Sequence, residues 1–256
     1  LDSLILRATL ANYDLQIASS RVLQARAEYG IVKGGTAPQV DIEGNFANSG
    51  RSKNVSGSSG ISQNFFQAGF DAGWELDVFG GLRRKVEAAG ARLESAQENR
   101  TDVLISLQAE VARNYLELRG SQQRLATAEN NLAAQQKTYK LARDRQTSGF
   151  GTQLDVAQAG ALLALNEAQL PALKNSIGQT DYRLCLLLGL PPGALTHEFS
   201  DASGLPNPPV ILPQTLPSEL LRRRPDIRSA ERQLAAATAD VGVAVAALFP
   251  QFSLTG

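Results

Sequence analysis

The sequence predicts a mainly α chain with a β-hairpin. Long coiled-coil helical hairpins are joined to strands of the transmembrane β-barrel type, and the whole is a fragment of a duplicated unit. Three observations lead there. Phe65–Gly81, FFQAGFDAGWELDVFGG, alternates strictly: Phe66, Ala68, Phe70, Ala72, Trp74, Leu76 and Val78 on one side, Gln67, Asp71, Glu75 and Asp77 on the other. Behind it Leu104, Val111, Leu118, Leu125, Leu132 and Tyr139 recur at seven-residue steps, the period of a supercoiled seam. The end of the chain also repeats its beginning. Asp14 matches Asp226, Ala18 matches Ala230, Gly30 matches Gly242, Pro38-Gln39 matches Pro250-Gln251 and Gly44 matches Gly256, each pair 212 apart (226 minus 14, 256 minus 44). That period marks an internal duplication.

Taken in order, residues 1–35 read as a helix, with Leu4, Ala8, Leu15, Ala18, Val22, Ala25 and Tyr29 at helical spacing and Gly34, Gly35 and Pro38 ending it. Residues 36–79 read as a β-hairpin. Its first strand holds VDIEGNF, where Val40, Ile42 and Phe46 alternate with Asp41, Glu43 and Asn45. Its loop is the Gly/Ser-rich tract Asn48–Asn64. Residues 80–190 read as a helical hairpin. One arm, from Leu82 to about Thr147, spans on the order of 100 Å at 1.5 Å per residue. After the break Ser148–Gln153, the other arm runs to Leu188 with Val156, Leu163, Leu170, Ile177 and Leu184 again at sevens. Pro171 is expected to kink it. Residues 191–217, rich in Pro, Gly and Asn, form an irregular connector, and 218–256 start the second repeat with a helix and a first strand. The chain starts inside a helix and stops as a strand begins, so a piece of a longer protein is expected.

Composition closes off several functions. Lys plus Arg and Asp plus Glu number 25 each, so no basic field invites nucleic acid. The single cysteine, Cys185, and single histidine, His197, build neither a disulfide nor a metal site. No glycine-rich phosphate loop follows a strand, and no Ser/His/Asp arrangement forms around a histidine in a Pro/Gly-rich connector. An enzyme is not expected, nor is any cofactor. No apolar run reaches the roughly 18 to 20 residues of a spanning helix.

The strand pattern admits two environments. In a soluble sheet the apolar face meets a core; in a transmembrane barrel it meets lipid while the polar face lines a wet lumen. Phe65 and Phe66 at one end, with Trp74 and Phe79 towards the other, would populate two aromatic girdles. The acidic side suits a water-filled bore, and only long helices are left to cover a sheet. Two strands cannot close a barrel, and open edges are costly in lipid, so a barrel requires several copies of the chain.

FDAGWELDVFGGLRRKVEAAGA, RQTSGFGTQLDVAQA and LRRRPDIRSAERQLAAATADVGVAVAALFPQFSLTG resemble the outer membrane factor family of TolC/OprM-like channels, most closely the lipoprotein branch serving resistance-nodulation-division (RND) efflux pumps. The resemblance covers essentially the whole chain. It implies the outer membrane efflux protein fold: a homotrimer with a twelve-stranded β-barrel in the bacterial outer membrane, continued by a twelve-helix α-barrel in the periplasm. It further implies export of drugs, metal ions or other toxic small molecules, as in multidrug resistance. The implied partners are a periplasmic adaptor (membrane fusion) protein, an inner-membrane RND-type transporter and outer membrane lipid. Family members carry a signal peptide and often a lipidated N-terminal cysteine, neither found in this sequence.

The resemblance also implies roles for particular residues. The turn becomes the periplasmic entrance, with Asp155, Thr152 and Arg145 at the gate and Ser148, Gly149, Phe150 and Gly151 meeting the adaptor. Locally, Gly149 reads as a helix C-cap and Thr152 as an N-cap with Asp155 in the first turn. On the strands, Asp41, Glu43, Asp71, Glu75 and Asp77 face the lumen, and Val40, Ile42, Phe46, Phe66, Phe70, Trp74 and Leu76 face lipid. The carboxylates either hydrate the bore or bias it towards cations. The basic run Arg222–Arg224 reads as solvated or connector-pairing. Two other readings stay open: a periplasmic adaptor, which would need a lipoyl-like β domain beside the hairpin, and a coiled-coil scaffold, which leaves the strands without purpose.

Overall fold

The computed structural model describes residues 1–50, 54, 62–200, 204 and 217–256. The middle of the expected hairpin loop and most of the expected connector, 51–53, 55–61, 201–203 and 205–216, lie outside the described residues. The elements are α1 (Asp2–Ala11), α2 (Tyr13–Gly34), β1 (Gln39–Gly50), β2 (Ser62–Leu76), α3 (Gly81–Thr147), α4 (Gln153–Leu187), α5 (Pro217–Arg223), α6 (Pro225–Ala246) and β3 (Phe252–Thr255). They fall into two compact units, one of residues 1–17 and 101–216, the other of 18–100 and 217–256.

In the first unit the seven-residue seams meet as their spacing requires. Val111, Leu118 and Leu184 are at most 1% exposed, and with Leu107, Cys185 and Leu188 they form a core closed by Leu4, Ala8 and Leu15. Leu125, Leu132 and Tyr139 on α3 are only half-buried, as are Val156, Leu163 and Leu170 on α4. The burial is therefore strongest towards one end of the seam. α4 runs unbroken through Pro171. The described part of the connector, 191–200, is a run of turns that nonetheless packs inward. Leu195 and Phe199 join the core, and Arg119 lies 5.2 Å from the Phe199 ring and 5.4 Å from that of Tyr115. Gln122 Nε2 donates to the Phe199 carbonyl (2.7 Å) and Thr196 Oγ1 to Asp181 Oδ2 (3.0 Å).

The single N-terminal helix expected over 1–35 is two. Asn12 is buried with extended backbone, φ −67° and ψ 129°. Its Oδ1 accepts the Leu15 N–H at 3.0 Å, capping α2, and its Nδ2 donates to the Leu187 carbonyl at 3.0 Å. An N-cap asparagine satisfies an otherwise orphaned N–H and interrupts the helix ahead of it. The C-terminal helix is broken in the same way. Arg224 has φ −69° and ψ 123°, because the ring of Pro225 bars the helical conformation from the residue before it.

The 212-residue repeat extends to these boundaries. α2 and α6 start at 13 and 225 and end at 34 and 246; α1 and α5 end at 11 and 223; the breaks fall at 12 and 224.

In the second unit α2 and α6 both pack on α3, in part through small residues. The Tyr29 ring covers Gly90. Ser95 and Ser229 share a buried hydrogen bond of 2.9 Å, flanked by ion pairs Arg228–Glu98 (2.6 Å), Arg232–Glu94 (3.2 Å) and Arg92–Asp240. The sheet has order β1-β2-β3, antiparallel throughout.

Truncating the well-buried seam should cost far more than truncating its half-buried extension. Leu118→Ala and Leu184→Ala are expected to lower unfolding stability by about 2–5 kcal/mol each, and Leu132→Ala by clearly less, as read by denaturant titration of the far-UV signal. Gly189→Ala is also expected to destabilise: the residue has φ +66°, and a Cβ would sit 2.9 Å from the Ala11 carbonyl oxygen.

Candidate functional site

The register sorts the strand residues into two faces. Val40 pairs with Ala72, Ile42 with Phe70, Gly44 with Ala68 and Phe46 with Phe66, whereas Asp41 pairs with Asp71, Glu43 with Gly69 and Asn45 with Gln67. Directly paired residues share a face and successive residues alternate. One face therefore carries Val40, Ile42, Phe46, Phe66, Phe70, Trp74 and Leu76, and the other Asp41, Glu43, Asp71 and Glu75. Neither is covered by protein: both strands are exposed along nearly their whole length, and Phe70, in the middle of β2, is 77% exposed. The Phe46 and Phe66 rings meet at 4.8 Å between centres, tilted 41° to each other. The Trp74 indole N–H donates to the Thr36 carbonyl at 3.1 Å.

Two expectations are corrected. Phe65 pairs with Ala47 on the acidic face, so on the apolar side that end is represented by Phe66 with Phe46 across from it. Asp77 is not a strand residue. β2 stops at Leu76, and the Asp77 carboxylate turns to the start of α3, accepting the N–H of Leu82 (2.9 Å) and of Arg83 (2.9 Å) together with Arg83 Nε (3.2 Å). The first-turn N–H groups of a helix have no intrahelical partner, and a carboxylate there also meets the positive end of the helix dipole. Partial burial pushes the Asp77 carboxyl up, but the bonds from Arg83 and Leu82 outweigh it and hold the group below the usual range.

The first strand expected within 218–256 is β3 (Phe252–Thr255), and its partner, which the sequence alone does not indicate, is β2. Leu76 pairs with Phe252, Trp74 with Leu254 and Glu75 with Ser253, so Phe252 and Leu254 extend the apolar face. The repeat carries the signal, since 252 and 254 are the mates of Val40 and Ile42.

The turn between α3 and α4 is built from two caps. Gly149, at φ +80°, donates to the Gln146 carbonyl (3.1 Å), and Phe150 donates to that of Arg145 (2.8 Å). This pairing closes α3 and requires the left-handed residue that glycine supplies. On the other side Thr152 and Asp155 form a reciprocal capping box. Thr152 N–H and hydroxyl donate to Asp155 Oδ2 (2.9 and 2.7 Å), and Asp155 N–H donates to Thr152 Oγ1 (3.2 Å). The Thr152 N–H and hydroxyl, aided by the charge of Arg145, hold the Asp155 carboxyl below its ordinary value. Phe150 is exposed beside them, and Ser148 and Gly151 complete the turn. The structure thus brings Arg145, Thr152 and Asp155 together at one turn. No group of His, Cys, Asp and Glu among the described residues is arranged to hold a metal ion, and no described helix is long and apolar enough to cross a membrane.

Comparison with known proteins places this geometry. The family described as outer membrane efflux protein matches residues 4–190 and 216–256. The pyoverdine export outer membrane protein OpmQ of Pseudomonas putida is 36% identical over 260 residues, covering 99% of this chain and 55% of the relative. The cation efflux system protein CusC of Escherichia coli K12 is 32% identical over 257 residues, with 99% and 54% covered. Among solved structures, the outer-membrane channel OprN superposes with a TM-score of 0.86 at 38% identity, over 99% of this chain and 57% of that one. A CusC structure gives 0.84 at 30%, over 99% and 58%. The chain spans about half the length of the relatives it matches.

A depressed carboxyl stabilises the folded turn above its unfolded value of 3.8 and stops doing so as pH falls through the folded value. Amide-exchange protection in the first turn of α4 is therefore expected to hold at about pH 5 and above and to decline below 3.8. Asp155→Asn should remove that pH dependence. Thr152→Ala should raise exchange there about fivefold at every pH.

Proposed function

The chain belongs to the outer membrane efflux protein family, and from that premise we propose that it supplies part of one protomer of a trimeric efflux duct. β1, β2 and β3 are staves of a shared β-barrel in the bacterial outer membrane, and the long helices are staves of an α-barrel extending into the periplasm. One observation carries this reading: a sheet whose apolar and acidic faces are both uncovered needs lipid on one side and water on the other. Strands of 12 and 15 residues exceed the roughly 9 to 11 that a tilted strand needs to cross the hydrocarbon. An open edge in lipid leaves backbone groups unpaired, so further copies must complete the wall.

In this reading residues 1–35 and 80–190 line the periplasmic duct, 36–79 is the barrel hairpin, 191–217 an equatorial connector, and 218–256 begins the second repeat. Val40, Ile42, Phe46, Phe66, Phe70, Trp74 and Leu76 contact lipid. Asp41, Glu43, Asp71 and Glu75 line the bore, where threefold repetition concentrates negative charge and favours cations. Ser148–Gly151 meets a periplasmic adaptor coupled to an inner-membrane RND-type transporter. Asp155, Thr152 and Arg145 hold the entrance closed. The cargo is small molecules, with selection left to the transporter. Relatives named for pyoverdine export and for cation efflux share this architecture while differing in cargo.

Two experiments test this. The protein carrying this chain should extract in detergent as a trimer that heating dissociates; a stable monomer purified without detergent would overturn the proposal. In planar bilayers Asp155→Asn should raise single-channel conductance, since it removes the negative charge that Thr152 and Arg145 hold at the turn. Unchanged conductance would remove Asp155 from the gate.

A further inference from the structure

The apolar face of the sheet does not end with the strands. Phe252, paired with Leu76, lies 6.4 Å from the Phe79 ring, and Phe79 stacks on Phe249 at 4.6 Å with 16° between planes. These three rings carry the apolar surface off β3 and β2 onto the segments that join the sheet to α3 and α6. Leu248, beside the stack in sequence, is 82% exposed. Directly past the rings the chemistry changes. A hollow of about 560 Å³ is lined by Phe79, Phe249, Arg83, Arg84, Gly242 and the Glu87 carboxylate that pairs with Arg84.

The two guanidiniums are held but not used up. Arg83 is anchored through Nε alone to Asp77, a carboxylate already occupied by two backbone N–H groups, and its side chain is 75% exposed. Arg84 is anchored through NH1 to Glu87 at 2.6 Å. Each anchor fixes the plane of the fork and leaves other N–H donors open to an incoming oxyanion. An arginine fork matches phosphate geometry better than a lysine does. Guanidiniums that share a hollow with an apolar ledge at the edge of a lipid-facing surface meet both halves of an amphiphile, headgroup and chain.

We propose that this hollow binds the phosphate of an anionic phospholipid headgroup, with Arg83 and Arg84 as the ligating pair and the Phe79–Phe249 stack as the ledge for the adjoining acyl region. The proposal rests on the reading that the apolar face of the sheet meets lipid. It makes the joint between sheet and helices a lipid-reading collar that sets the depth at which the barrel sits.

The test uses the detergent-purified protein carrying this chain with phosphatidylglycerol or phosphatidylcholine added, bound lipid being counted by native mass spectrometry. Phosphatidylglycerol should be preferred, and R83Q/R84Q should reduce that preference on the order of tenfold. K140Q/R143Q, which removes the same charge elsewhere on α3, should leave it intact. R84Q alone spares the Asp77 anchor and should give an intermediate loss with an unchanged melting curve. Equal loss in both double variants, or none in R83Q/R84Q, would overturn the site. Displacement of the lipid by millimolar inorganic phosphate would assign it to the free anion and overturn the lipid reading. Urea washing of proteoliposomes separates the two levels. A wild-type chain that washes off refutes the membrane reading itself, whereas one that stays inserted without headgroup preference refutes only this proposal.

Discussion

The structure turns on a sheet that is satisfied along its paired backbone and unsatisfied on both faces. Burying apolar area stabilises by roughly 25 cal/mol per Å², and the face carrying Phe66, Phe70, Ile42 and Val40 gains little of it from this chain. The opposite face sets Asp41 directly across from Asp71, a like-charge pairing that is unfavourable unless water screens it. No single solvent suits both. That two-solvent requirement is the physical ground for the proposed membrane wall.

The same requirement shapes the joint. A strand cannot drift gradually into a helix here, because the first-turn N–H groups of α3 need acceptors at once. Asp77 supplies them, so a residue that continues the strand's alternation on paper is drawn into capping. Periodicity cannot distinguish a carboxylate facing water from one facing a helix start; only the position of Gly81, where the helix begins, decides it.

Long periodic elements were legible in the sequence, and local exceptions were not. The heptad positions of α3 and α4 meet, and the helix bounds at Gly81, Thr147 and Gln153 fall within a residue or so of where Gly80-Gly81 and the Ser148–Gln153 break put them. The faces of β1 and β2 follow their alternation. Gly149 and Thr152 take the cap roles their residue types suggest. The missed features depend on partners distant in the chain. Asn12 breaks a helix in part because Leu187 accepts its amide, Phe199 is buried because Arg119 and Gln122 hold it, and β3, expected as a strand, finds in β2 a partner that its own neighbours do not announce. No window of neighbouring residues contains those contacts.

The paired breaks at Asn12 and Arg224 bear on how such a chain diversifies. Two positions related by the duplication hold backbone angles within a few degrees of each other, yet one does so with a capping amide and the other with the ring of the following proline. The two copies have drifted apart in chemistry while the bend itself persisted. What has been inherited is an angle, and any residue pair able to hold it is an admissible substitute. Copies of an ancient doubling can thereby become unrecognisable letter by letter and still close on one another.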